Sequence, residues 1–235
     1  VSISTAAFPR LTERLSENRI DLFKDELRSV IRAIIWLALP VAIITYFTRG
    51  YVVSFISHRG NSLMAGLLGV FAVAILFRCL YHILARSFYA QQDTKTPLYI
   101  SIVAISLNVF LAIWFTFSLR YGAYGLAVAQ AIVAIVEVVI LFTMMEMRTP
   151  GVLNKYFWQG ILRMASAAGF MSIICYFMVH WLPFEAGARS LYEAVPKFIF
   201  IVLVSLSTYL MFSRLLQIKE SEPVMRKLRK VFFRA

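Results

Sequence analysis

The chain has 235 residues, 60% hydrophobic and 15% charged, with 24 Lys and Arg against 12 Asp and Glu for a net charge of +12. Soluble domains are about 45–50% apolar and about 25% charged, so an ordinary water-soluble enzyme is excluded, as is a disordered chain, which needs low hydrophobicity. With a mean hydropathy of +0.76, the basic excess points to a membrane surface and not to nucleic acid.

The chain starts at Val1, and its first residues are neither a signal peptide nor a complete span. Residues 11–29 place Leu11, Leu15, Ile20, Phe23 and Leu27 at three- to five-residue steps among charges of both signs. That pattern predicts an amphipathic helix at the interface, either a coupling element or a plain connector. A bilayer core about 30 Å thick needs about 20 apolar helical residues. Six segments satisfy this, roughly 30–48, 63–88, 97–119, 123–147, 160–181 and 195–216. Turn signals divide them at Arg59-Gly60-Asn61, Asp93 to Pro97, Tyr121-Gly122, Thr149-Pro150-Gly151 and Pro183 to Gly187. The fold class is therefore an all-α polytopic membrane bundle. Pro40 in the first span removes a backbone hydrogen bond and predicts a kink. Gly66 and Gly69 predict close helix packing.

Orientation follows from the basic residues, which gather in cytoplasmic loops. Eighteen lie on the side that holds the N-terminus and the tail, five on the other side, and Arg78 lies within a span. Both termini are expected in the cytoplasm, with a basic tail over 217–235. Cys79 and Cys175 sit in apolar runs and imply no disulfide framework.

Ionisable groups inside a span usually face a cavity or a partner. The second span carries Arg78, His82 and Arg86, which stay within about 80° of one another on one helix face. Such a row suits a phosphate or pyrophosphate, although Arg86 and His82 could equally snorkel to the surface. In the fourth span Gln130 and Glu137 share a face, seven residues apart. Glu137 is either a proton- or cation-coupling group or the partner of a basic residue on another span. Asn108 in the third span is a further interior polar group. Cys79 and His82 supply two ligands, too few for zinc, and no nucleophile set or nucleotide loop occurs. No cofactor and no catalytic residue is expected.

The segment LARSFYAQQDTKTPLYIS, residues 84–101, resembles a signature turn of the lipid II flippase family (MurJ, also called MviN), of the form FYA-x-QD-T-x-TP. STAAFPRLTERL at 4–15 resembles the end of that family's eighth span, and LALP at 37–40 and GAYGLAVA at 122–129 fit the following stretches. The resemblance covers essentially the whole chain. Family members have about fourteen spans, so it implies that residues 1–10 end a truncated preceding helix and 11–29 form a cytoplasmic linker. It implies that 30–147 hold four helices of the C-terminal lobe, and that 160–216 hold two extra helices forming a lipid-facing groove. The N-terminal lobe, which carries the family's principal cavity arginines, would be missing.

The resemblance further implies an alternating-access flippase in the bacterial inner membrane. Its substrate would be an undecaprenyl-linked peptidoglycan precursor, its surroundings membrane lipid, its partner the missing lobe. Arg78, His82 and Arg86 are then candidate substrate-binding residues, and Asn108, Gln130 and Glu137 candidate coupling or cavity residues. Some relatives bind sodium, and Asn108 resembles one ligand; its partner, an acid in those relatives, is Ala112 here. The coupling ion, sodium or proton, stays open. Alternatives are an exporter of O-antigen or capsule units, and a non-transporting membrane scaffold.

Overall fold

A computed structural model describes residues 2–17, 19–56, 61–182 and 191–222, with the side chains of 2–7, 10 and 191–193 left out. The described residues form helices throughout: α1 (Ser2–Ser16), α2 (Ile20–Phe47), α3 (Arg49–Ile56), α4 (Ser62–Ala90), α5 (Lys95–Ile113), α6 (Ala123–Arg148), α7 (Lys155–Trp181) and α8 (Leu191–Leu215). Six of them are long and apolar enough to cross a membrane, at the positions expected. The chain is a multi-pass helical membrane protein.

Two boundaries differ from expectation. The segment 11–29 is not one interfacial helix: α1 closes at Ser16, and residues 20–29 are the opening turns of α2. Three of its apolar positions turn toward protein, since Leu11, Phe23 and Leu27 are fully buried and join the main core, whereas Ile20 is exposed. With 28 residues, α2 is about 42 Å long at 1.5 Å per residue, well beyond the hydrocarbon core, so its first turns project into the headgroup region. The second difference is α3, a short helix where a loop was expected; its Tyr51 is buried and donates to the Leu182 carbonyl at 2.5 Å. The expected turns at 59–60 and 183–187 and the tail beyond 222 lie outside the described residues.

The helices pack in a row. Helix α4 lies against both α2 and α6, α5 packs on α6, α7 packs on α2, and α8 packs on α7. Burial along the row is uneven: half of the most apolar stretch of α6 is buried (50%), against 22% for α4 and 11% for α5. Gly66 and Gly69 serve close packing as expected. A Cβ on Gly66 would stand 2.1 Å from the Tyr124 hydroxyl, and one on Gly69 would stand 3.0 Å from Arg49. Beyond α5, residues Trp114–Ser118 form one π-helical turn. The backbone of Gly125 at the start of α6 presses on it so closely that an added Cβ would lie 2.9 Å from Phe115.

Pro40 lies inside a continuous α2. Proline has no N–H, so the carbonyl four residues earlier, that of Trp36, loses its helical donor. The buried Tyr209 hydroxyl on α8 supplies one at 2.9 Å. One turn away, Trp36 donates its indole N–H to Ser213 of α8 at 3.1 Å. Below that, Arg32 pairs with Glu220, Nε to Oε1 at 2.7 Å, and Nη2 donates to Oε2 at 3.1 Å. The first and last spans are thus joined by a ladder of polar contacts. Gly160 of α7 gives the Arg32 guanidinium its room, since a Cβ there would meet Cζ at 2.4 Å.

Candidate functional site

The signature turn is built around Asp93. Its Oδ1 accepts the backbone N–H groups of Lys95 and Thr96, each at 3.0 Å, and its Oδ2 accepts the Thr96 hydroxyl at 2.6 Å. The carboxylate thereby satisfies orphan donors in the first turn of α5. Arg148 at the end of α6 pairs with the same Oδ2 at 2.5 Å and donates to the Thr96 hydroxyl at 3.1 Å. The Thr96 hydroxyl and amide, then Arg148 and the Lys95 amide, hold the Asp93 carboxyl below its ordinary value. Next to it, Glu146 accepts from Gly151 and Leu153, while Arg28 donates to the carbonyls of Val152 and Gly151. The QDTKTP turn is a brace that ties α4, α5 and α6 together at one end of the bundle.

Farther along α4 and α6 lies the polar interior. Arg78 donates from Nη1 to Glu137 Oε2 at 3.1 Å, an ion pair between α4 and α6. Ser101 of α5 donates to Glu137 Oε1 at 3.2 Å, and the Tyr81 hydroxyl lies 3.0 Å from Ser101 Oγ. With the Ser101 proton committed to the carboxylate, Tyr81 is the donor in that second bond. One layer further, Asn108 Nδ2 donates to Gln130 Oε1 at 2.9 Å.

Of the two sequence readings of Glu137, the contact with a basic residue on another span is the one seen. Arg78 is held by Glu137 but keeps part of its side chain on the open face of α4; His82 is exposed on that face and Arg86 is partly exposed there. The structure brings Arg78 to Glu137 and Asn108 to Gln130, and it places His82 and Arg86 at successive turns below Arg78 on the same helix.

Ser101 and Tyr81 escaped the sequence reading, though a signal was there. Ser101 and Asn108 are seven residues apart on α5, and Gln130 and Glu137 are seven apart on α6. Two antiparallel helices with such spacing bring the four groups together as two rungs, Ser101 with Glu137 and Asn108 with Gln130. The Arg32–Glu220 pair also escaped notice, because Glu220 follows the last span in a stretch taken as tail.

Comparison with known proteins gives one consistent result. A family model described as lipid II flippase MurJ matches residues 1–196. The probable lipid II flippase MurJ of Thermotoga maritima is 24% identical over 233 residues, covering 97% of this chain and 44% of that protein. That of Haemophilus influenzae is 30% identical over 163 residues, covering 60% of this chain and 30% of its own length. The lipid II flippase MurJ of Thermosipho africanus is 24% identical over 147 residues, covering 60% and 30% respectively. The chain spans less than half the length of each of these relatives.

Proposed function

The chain belongs to the lipid II flippase MurJ family, and from that premise we propose that it is the C-terminal part of an alternating-access transporter for lipid-linked peptidoglycan precursor. The precursor moves from the cytoplasmic to the periplasmic leaflet of the bacterial inner membrane. Its charged head passes through a polar cavity while its polyprenyl tail stays in lipid, because a charged head in hydrocarbon is prohibitively costly. Arg78, His82 and Arg86 receive the pyrophosphate, and an N-terminal lobe closes the cavity from the opposite side. Helices α7 and α8 border the groove for the tail, and both termini of this chain face the cytoplasm. The chain carries out transport and makes or breaks no covalent bond.

The observation that carries this reading is the family match across residues 1–196. The partly exposed basic face of α4 supports it, because a cation row that served packing alone would be covered by its neighbours. The test is translocation of fluorescent lipid II in proteoliposomes holding this chain, with and without the N-terminal lobe. Transport is expected only with both present. Transport by the chain alone would refute the two-lobe arrangement, and a pair that moves only another polyprenyl-linked glycan would reassign the substrate. Arg78→Ala should slow transport by about tenfold to a hundredfold, the range of a lost charge-assisted contact, whereas Arg189→Ala should not.

A further inference from the structure

Glu137 fits poorly into a site meant to attract an anion. Its side chain is 4% exposed, against 39% for Arg78, so a buried carboxylate holds one edge of a guanidinium whose remainder faces the open side. That carboxylate depends on the cation, since among the described residues its other hydrogen bond comes from the Ser101 hydroxyl. An anion that docks on Arg78 competes for the same positive charge. A buried carboxylate deprived of its cation is neutralised sooner than left charged in an apolar interior.

The elements around Glu137 present few other ionisable groups. Only α4, α5 and the π-helical turn pack on α6 among the described helices. Helix α4 presents Arg78 and Tyr81, with His82 and Arg86 on its open face; α5 presents Ser101; the π-helical turn WFTFS has no ionisable residue. On α6 itself, Gln130 is engaged by Asn108. The Ser101 hydroxyl, itself held by Tyr81, donates to Oε1, which leaves Oε2 to take a proton once Arg78 lets go.

Resting on the reading of Arg78 as an anion-binding group, we propose that Glu137 is an internal counter-anion that a pyrophosphate diester displaces from Arg78, each displacement taking up one proton from solvent on Glu137 Oε2. Anion and proton then reinforce each other's binding by linkage. Anion affinity rises as pH falls, by up to about tenfold per pH unit, the limit for one proton per anion. The site becomes a place where substrate binding is coupled to a proton.

The test uses the full chain in lipid nanodiscs and a symmetrical dimethyl pyrophosphate, whose two charges are fixed between about pH 5 and pH 8, so that the probe itself does not titrate. Calorimetry in buffers of different ionisation enthalpy counts the protons. Wild-type protein should bind more tightly as pH falls and take up one proton per anion. Glu137→Gln should bind tightly at every pH with no proton uptake, and His82→Gln should bind more weakly with the wild-type slope. Glu137→Gln retaining the slope, or His82→Gln abolishing it, would overturn the proposal. Were Glu137→Gln to misfold, the His82→Gln proton count decides, and zero protons there overturns it. Arg78→Ala should lose binding throughout. If it binds like wild type, the anion-site reading falls as well; if it loses binding while Glu137→Gln keeps the slope, only the counter-anion falls.

Discussion

Asp93 caps one helix and anchors another with a single carboxylate. Asp93→Ala should therefore cost about 1 kcal/mol, typical of a lost N-terminal cap, read as thermal unfolding in detergent. Its folded carboxyl lies below its ordinary value. The contribution is thus complete above the ordinary carboxylate range, near about pH 4, and is lost as pH falls through the lowered folded value. Asp93→Asn should flatten that acid limb, because the amide keeps part of the cap and no ion pair. Gly160 offers a second residue-level test. A methyl group there would push the Arg32 guanidinium away from Glu220. Gly160→Ala should destabilise by about 1–3 kcal/mol, the usual cost of overpacking. Glu220→Ala should cost at least as much, since it leaves a buried guanidinium unpaired. A measured order with Gly160→Ala clearly the worse would mean that backbone displacement, and not the ion pair, dominates at this contact.

At the scale of elements, proline and tyrosine on different helices form one unit. Tyr209→Phe leaves the Trp36 carbonyl without its donor and should cost about 1 kcal/mol, within the range of interhelical hydrogen bonds in membranes. In a Pro40→Ala background the helix supplies its own N–H, so the same substitution should cost at most half as much. Equal costs in the two backgrounds would show that Tyr209 acts by packing alone. This pairing also marks the limit of what the sequence discloses. Pro40 announces an orphan carbonyl, but nothing near it in the chain names the donor. The six spans were legible because twenty-residue apolar runs allow few other folds. The division of 11–29 was not, because its apolar spacing fits one amphipathic helix as well as two shorter ones, and burial against α2 and α4 decided between them. Helix α3 was hidden for a similar reason: an eight-residue helix has too few turns for a periodic signal. In the candidate site, the face shared by Arg78, His82 and Arg86 could be read from spacing. The choice of Glu137 as partner could not, because it depends on which helices are neighbours.

For the whole molecule, the contacts are unevenly distributed between its two ends. Arg28 with residues 151–152, Asp93 with Arg148, and Arg32 with Glu220 tie the start of α2, the turns at 91–94 and 149–154, and the segment after α8 at one end. The turn at Tyr121 lies at the other. An impermeant thiol reagent should therefore label Gln92→Cys and Gly151→Cys from one side of the membrane and Tyr121→Cys from the other, in a chain with Cys79 and Cys175 replaced. The proposed orientation makes the first side cytoplasmic; labelling of Gln92 and Gly151 from opposite sides would contradict the six-span topology itself. The Trp36 carbonyl carries a further consequence, for biogenesis. Its donor lies 173 residues later in the chain, and at about 5–20 residues per second the ribosome needs on the order of 10–35 s to reach it. Throughout that interval the first span stays in the bilayer or at the insertion machinery with a polar group unmet. It cannot settle into its final place until α8 arrives, so the synthesis of α8 sets the earliest moment at which α2 reaches its final packing.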